Sequence, residues 1–261
     1  MVPGATLPDF SFPIFLILFA GGFFSGLVDS IAGGGGLISV PVLLSVGLPP
    51  HFALGTNKLQ SSFGSLIASL NYTRGGLVKI REVAFGILFT AIGAAVGTFT
   101  IQLISKEILQ YLIPFMLLVI LIFSLFFKEM GLRDTQAKMH ARLFFVLFGL
   151  LLGFYDGFFG PGTGNFWLIA YVLLLGFNLK KANAYTKWVN FTSNIVALVI
   201  FAIGGKVLWL PGLIMAAGQF CGAFLGSHMV LRSGVKFIRF FFLIVTGATI
   251  LRLLYTTFFQ G

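Results

Sequence analysis

Ten apolar stretches follow one another along the chain, at about 12–32, 37–48, 54–73, 80–103, 107–127, 141–159, 165–177, 183–203, 208–231 and 236–258. Most have the roughly 20 residues that a helix needs to cross a ~30 Å hydrocarbon layer. Within that layer only helices and closed barrels satisfy their own backbone groups. Of the 261 residues, 58% are hydrophobic and 9% charged, where a soluble domain carries about 25% charged residues. Too few polar side chains exist to cover a surface facing water, so most of the surface must face lipid. The expectation is an all-α polytopic membrane protein. The first stretch follows MVPGATLPDFSFP, which has no positively charged n-region, and reads as a membrane helix rather than a cleaved signal.

A net charge of +10 would fit nucleic-acid binding if the basic residues formed one face. They stand instead in short clusters between apolar stretches, where membrane orientation accounts for them. The single cysteine, Cys221, excludes an internal disulfide, and its neighbours in GQFCGAFLG suggest a small buried residue at a helix contact. His51, His140 and His228 have no metal-ligand spacing. No GxSxG elbow or HExxH is present, so no cofactor or metal is expected. Trp167, Trp188 and Trp209 read as lipid-facing or interfacial.

The chain contains an internal repeat. GLVDSIAGGG from Gly26 aligns with GFYDGFFGPG from Gly153, placing Asp29 on Asp156, Gly33 on Gly160 and Gly35 on Gly162. After a two-residue insertion, Gly47 falls on Gly176, Ala53 on Ala182 and Lys58 on Lys187, followed by Gly75–Gly76 on Gly204–Gly205, Gly93 on Gly222 and Gly97 on Gly226. Two membrane repeats, 12–127 and 141–258, therefore flank a polar linker at 128–140, the natural hinge between them.

Charge decides how the copies are oriented. With the linker in the cytoplasm and five crossings per half, cytoplasmic loops hold Arg74, Lys79, Arg81, Lys128, Arg133, Lys138, Arg142, Lys180, Lys181, Arg232, Lys236 and Arg239. Only Lys106, Lys206 and Arg252 then lie outside. Four crossings per half would turn two basic clusters outward, against the positive-inside rule. The expectation is an inverted repeat of two five-element halves with both termini outside, a plan common in secondary transporters.

The second element, LISVPVLLSVGL, reaches only about 18 Å as a helix. Irregular backbone must then sit at membrane depth, tolerated only against protein or a water-filled cavity. The glycine-rich breaks AGGGGLIS at 32–39 and FGPGTGNF at 159–166 precede the short elements. A glycine turn opening a helix directs free N–H groups and the positive dipole end outward, an anion site needing no charged side chain. The alternative is that these glycines only allow close helix contact.

Polar residues also open the third element of each half: Thr56, Asn57, Lys58, Gln60, Ser61 and Ser65, matched by Thr186, Lys187, Asn190, Ser193 and Asn194. Spacings of three and four put several of them on one face. A lysine at membrane depth costs about 2.5–3.5 kcal/mol on insertion scales and usually faces a cavity or the protein interior. Snorkelling to the interface is the alternative, since both lie close to an element's start. Asp29 and Asp156 are the acidic residues clearly set in apolar elements; they could pair with a lysine, carry a coupling proton or cap the glycine turns. A carboxylate contacts an anionic guest only when protonated or paired.

GLVDSIAGGGGLISVPVLLSVGLPPHFALGTNKLQ, with GFFGPGTGNF and KANAYTK in the second half, resembles the TauE/SafE family of sulfite and sulfonate exporters, in particular its YfcA-like bacterial subgroup. The resemblance runs from about Gly21 to Leu251. It implies a multi-pass carrier of the bacterial inner membrane for sulfite or organosulfonate anions. Its marker positions fall here on Asp29, Gly33, Gly34, Gly35, Gly36, Pro41, Gly55, Thr56, Asn57 and Lys58, then on Gly160, Pro161, Gly162, Thr163, Gly164 and Lys187.

Together these readings set the expectation of a secondary transporter of small sulfur-containing anions, working by alternating access with a proton gradient as the drive. The expected substrate ligands are Lys58, Lys187, Asn57, Thr56, Gln60, Asn190, Gly33 to Gly36, Gly160, Gly162, Thr163 and Gly164, with Asp29 and Asp156 in coupling or structural roles. The partners would be a small anion and membrane lipid, not nucleic acid; pairing as a homodimer stays open. An anion channel is the second reading, and an intramembrane enzyme, lacking any nucleophile–base pair, the third.

Overall fold

The computed structural model describes residues 11–125 and 131–233, with Phe237 and Phe240. Among the described residues there are nine helices and no strand: α1 Phe12–Ala32, α2 Gly36–Ser45, α3 Pro50–Arg74, α4 Ile80–Gln102, α5 Lys106–Leu125, α6 Ala141–Phe158, α7 Thr163–Leu175, α8 Leu179–Ile203 and α9 Trp209–Arg232. The expected tenth element, 236–258, lies outside the described residues apart from Phe237 and Phe240. Five helices (α1, α4, α6, α8 and α9) are long and apolar enough to cross a membrane. The α2 helix, with 10 residues, spans about 15 Å, and α7, with 13, about 20 Å.

Helix α3 has 25 residues, about 37 Å of length, yet it is too polar to pass as a span by composition. Its polar residues are buried: Thr56, Asn57, Lys58, Gln60, Ser62, Ser65, Ser69 and Asn71 all face the protein. The converse holds on the periphery. Phe85, Leu88, Ile92, Val96 and Phe99 form an exposed stripe on α4, as do Leu143, Leu147, Leu151 and Phe154 on α6. Lipid-facing helices turn their apolar side outward, and the polar groups gather along α3 and α8.

Glycines set which helices touch. A Cβ on Gly22 or Gly26 of α1 would strike the carbonyl of Met215 or Gln219, and one on Gly218 or Gly222 of α9 would strike that of Phe19 or Phe23. The same interlock joins α4 to α6, where Gly93 and Gly97 meet Leu150 and Phe154, and Gly153 and Gly157 meet Thr90 and Ala94. Small residues spaced by four allow membrane helices to approach this closely. Each half therefore grips the other: α1 lies on α9, and its repeat counterpart α6 lies on α4.

The registers also give directions. Residue numbers rise together along α1 and α9, along α4 and α6, and along α3 and α9, where Gly212 meets Leu59 and Asn71 meets Ser227. Along α3 and α8 they run opposite ways, with Lys58 at Asn194 and Tyr72 at Asn183. Along α4 and α8 they rise together, with Glu82 at Tyr185 and Gly86 at Val189, so α1, α3 and α9 run one way and α4, α6 and α8 the other. Arg74, Lys79, Arg81, Arg142, Lys180, Lys181 and Arg232 consequently gather at one end of the bundle.

Repeat symmetry persists in the backbone. Three aligned glycine pairs, Gly33 and Gly160, Gly47 and Gly176, Gly76 and Gly205, all adopt positive φ, from 65° to 99°. The linker is docked rather than free over its described part. Thr135 and Lys138 donate to the carbonyls of Gly176 and Leu174 at the end of α7, and Asp134 accepts from the N–H of Asn178 at the start of α8.

Three expectations are corrected. Cys221 is exposed, because Gly218 and Gly222 take the contact with α1 and a helix turns 100° per residue. Trp167 is fully buried, stacked on Tyr171 and edge-on to Phe144; Trp188 donates to Thr73 Oγ1 at 2.9 Å, and Trp209 alone of the three is largely exposed. The third elements also start earlier than their apolar runs suggest. Pro49 caps α3 and Pro50 is its first residue, and the Asn178 side chain caps α8 by accepting from the Lys181 N–H.

Candidate functional site

Those early starts put both lysines inside their helices. Lys58 stands eight residues past Pro50 and Lys187 eight past Leu179, each about 12 Å along its helix. Because α3 and α8 are antiparallel, the lysines come in from opposite ends. Lys58 is 1% exposed and Lys187 0%. Neither snorkels.

Each ammonium is held by the other half. Lys58 Nζ lies 2.7 Å from Asp156 Oδ1 and also donates to the Asp156 carbonyl and, at 3.3 Å, to Asn194 Oδ1. Ser193 Oγ donates to the other carboxylate oxygen. Lys187 Nζ lies 3.0 Å from Asp29 Oδ2 and donates to the Asp29 carbonyl. The pairs exchange under the repeat, 58 with 187 and 156 with 29. Asp29 also does what a cap would do, accepting weakly from the Gly35 N–H at 3.4 Å. Buried charges of this kind are stable only when paired and hydrogen-bonded.

The carboxylates sit where α1 and α6 end, so each ion pair ties α3 or α8 to a glycine break. After α1, Gly33 and Gly34 take positive φ and Gly35 is the N-cap of α2, its carbonyl accepting from Ser25 and Ser39. After α6, Gly160 takes φ of 99° and Gly162, left-handed, caps α7. Thr163 Oγ1 donates to the Gly160 carbonyl and Tyr155 to that of Pro161. The breaks abut. A Cβ on Gly33 would stand 2.9 Å from Asn165 Oδ1, and one on Gly36 would stand 2.8 Å from the Pro161 Cα.

Between them lies a cavity lined by Gly34, Gly35, Gly36, Asp29, Asn57, Lys58 and Ser61 from the first half, and by Asp156, Gly160, Gly162, Thr163, Gly164, Asn190, Asn194 and Gln219 from the second. Among the described residues, the N–H groups of Gly34, Gly36, Gly162 and Gly164 donate to no backbone or side-chain acceptor. Two come from each break. Asn190 and Gln219 are buried with a side-chain oxygen that has no partner, and a carboxamide can turn either its oxygen or its NH2 group to a guest. The volume is about 30 Å3, enough for the centres of some two waters and too little for an oxyanion.

Four expected residues lie off this lining. Lys187 stands behind Asp29. Thr56 Oγ1 accepts from the Leu208 N–H at 3.1 Å and ties α3 to the start of α9. Gln60 supports Asn57, donating to its Oδ1 at 2.8 Å, and Gly33 is covered by Asn165. The lysines and aspartates together are neutral, so positive potential in the cavity comes from free N–H groups and helix ends rather than from surplus ammonium. Gln219 was not singled out by the sequence reading; its signal is a lone amide in an otherwise apolar helix, a costly placement without a partner.

A family model described as "Sulfite exporter TauE/SafE" matches residues 18–253. The chain is 46% identical over 231 residues to a "Probable membrane transporter protein" of Haemophilus influenzae, covering 88% of this chain and 91% of that one. It is 41% identical over 239 residues to the "Probable membrane transporter protein YfcA" of Escherichia coli K12, covering 92% and 89%. A "Probable membrane transporter protein ORF9" of Sinorhizobium is 41% identical over 248 residues, 95% of each chain. No solved structure matches. With an all-helical fold, five apolar spans and this likeness across nearly its full length, the chain belongs to the sulfite exporter TauE/SafE family and is a membrane transporter, not an enzyme.

Proposed function

We propose that this transporter is a secondary carrier exporting a small sulfur-containing oxyanion, sulfite or an organosulfonate, across a bacterial inner membrane by alternating access of two inverted halves. The observation that carries this reading is the abutting pair of glycine breaks, which offer two free N–H groups each around the cavity that Lys58 also lines. Sulfite and sulfonate oxygens suit such charge-assisted donors. The opposite directions of the repeat counterparts α1 and α6 support inversion, and the basic end of the bundle supports a cytoplasmic location for that end. A cavity too small for an oxyanion fits a carrier caught closed rather than an open pore.

Asp29 supports proton coupling. Its side chain is 16% exposed against 4% for Asp156, so of two equivalent carboxylates it is the one open to proton exchange. Proteoliposomes loaded with labelled sulfite or sulfoacetate provide the test. The wild type should show saturable, pH-gradient-driven flux and counterflow. Asp29→Asn should keep counterflow but lose accumulation against a gradient. Flux of neither anion, or flux without saturation, overturns the proposal.

A further inference from the structure

A second cavity, of about 410 Å3, opens at the basic end of the bundle. It lies between the turn joining α3 to α4 and the start of α8, so both halves build it. Its polar lining is Lys79, Glu82, Asn178, Lys180, Lys181 and Tyr185. Three ammonium groups thus face one carboxylate, and that carboxylate is already held by the Tyr185 hydroxyl. Among the described residues the only ion pairs are the two of the central site, so no lysine here has a carboxylate partner. Lys180 spends two donors on the carbonyls of Leu231 and Ser233, at 2.9 and 3.2 Å. Lys181 Nζ is poised 4.1 Å above the Phe177 ring centre, and Lys79 heads α4 with no side-chain cap bond. Two helix N-termini, those of α4 and α8, add their positive ends to the same space.

Repeat symmetry supplies a comparison within the molecule. At the other end of the bundle, the positions equivalent to Lys79, Lys180 and Lys181 are Leu208, His51 and Phe52. That junction holds a single lysine, Lys206, with its Nζ 5.6 Å from the Phe52 ring centre, so the cluster of three belongs to the basic end alone among the described residues.

We propose that this cavity binds a phosphate-type oxyanion, and that the headgroup of an anionic phospholipid is the source the geometry favours. Its volume falls in the range of sites for ligands well above a four-atom anion. Beside Lys79, Ile80 is exposed, and the exposed α4 stripe from Phe85 and Leu88 continues away from the cavity, a path for acyl chains. Basic pockets between membrane helices hold acidic headgroups in this manner.

The test uses the delipidated full chain and native mass spectrometry with cardiolipin, phosphatidylglycerol or phosphatidylcholine. Lys79→Gln/Lys181→Gln should weaken retention of the two anionic lipids about 30-fold and leave phosphatidylcholine unchanged. Lys180 is left in place because it closes the end of α9. Lys106→Gln/Lys206→Gln, at the opposite end, should change nothing; an equal loss there means diffuse attraction and overturns the site. A measurement without substitution guards against misfolding: cardiolipin should protect Lys79 and Lys181 of the wild type from an amine-modifying reagent. In a parallel arm, protection by millimolar inorganic phosphate with none by lipid keeps the oxyanion site and assigns it a soluble source. Protection by neither overturns the proposal.

Discussion

Replacing Lys58 by Met removes an ammonium that is 1% exposed and leaves the Asp156 carboxylate, 4% exposed, with the Ser193 hydroxyl as its remaining side-chain donor. Stripping one partner from a buried pair costs about 3–5 kcal/mol, because the other charge stays desolvated. For a chain of this length each kcal/mol moves the melting temperature by roughly 2–4 °C, so Lys58→Met should melt about 6–20 °C lower in detergent. Asp156→Asn should fall in the same range. The double variant removes both charges and should recover most of the loss, since neutral replacement of a whole buried pair is often tolerated. The cycle then yields a coupling of about 4 kcal/mol or more, because each single variant leaves a buried charge unpaired and the double variant leaves none. Flux separates structure from binding. If Lys58 touches the substrate, the double variant melts near the wild type yet transports at least tenfold slower. Wild-type melting in both single variants refutes the energetic argument; wild-type flux in the stable double variant refutes a ligand role for Lys58.

Further outcomes follow from the same geometry. Gly160→Ala places a methyl group 2.7 Å from Lys58 Nζ, so flux of the proposed anion in proteoliposomes should fall tenfold or more, while the strained positive φ costs about 1–2 kcal/mol in a melt. Gly222→Val drives α9 from the carbonyl of Phe23 and should cost over 3 kcal/mol, read as lost monodisperse protein in size-exclusion chromatography; Gly205→Ala, whose Cβ meets nothing within 4 Å, should cost about 1 kcal/mol for its positive φ. A fluorophore on the exposed Cys221 should be quenched by nitroxide-labelled lipid and not by aqueous iodide; the reverse pattern would place this side of α9 against water or protein.

Much of the molecule was legible along the chain. Apolar runs of membrane length leave only the helix as a solution in lipid, and the nine described helices fall within a few residues of the runs read from sequence. The duplication was equally plain, since Asp29, Gly33 and Lys58 recur as Asp156, Gly160 and Lys187 in fixed order. The starts of α3 and α8 were placed late because Pro50 and Asn178, residues that open helices, lie ahead of the apolar runs, and that error placed the lysines too near the interface.

What the chain alone determined is its helical, duplicated, lipid-embedded character and the polar groups the membrane interior must accommodate. Tertiary structure decided their partners: Lys58 meets Asp156, 98 residues away, and Lys187 meets Asp29 at 158. It also decided that Lys187 stands behind its aspartate, that Gln219 reaches the cavity, that Trp167 is buried and that Cys221 faces outward. Helix formation depends on neighbours three or four residues apart, a range the sequence displays directly. Which face meets which depends on the glycine contacts between α1 and α9 and between α4 and α6, and these close only when the two halves come together.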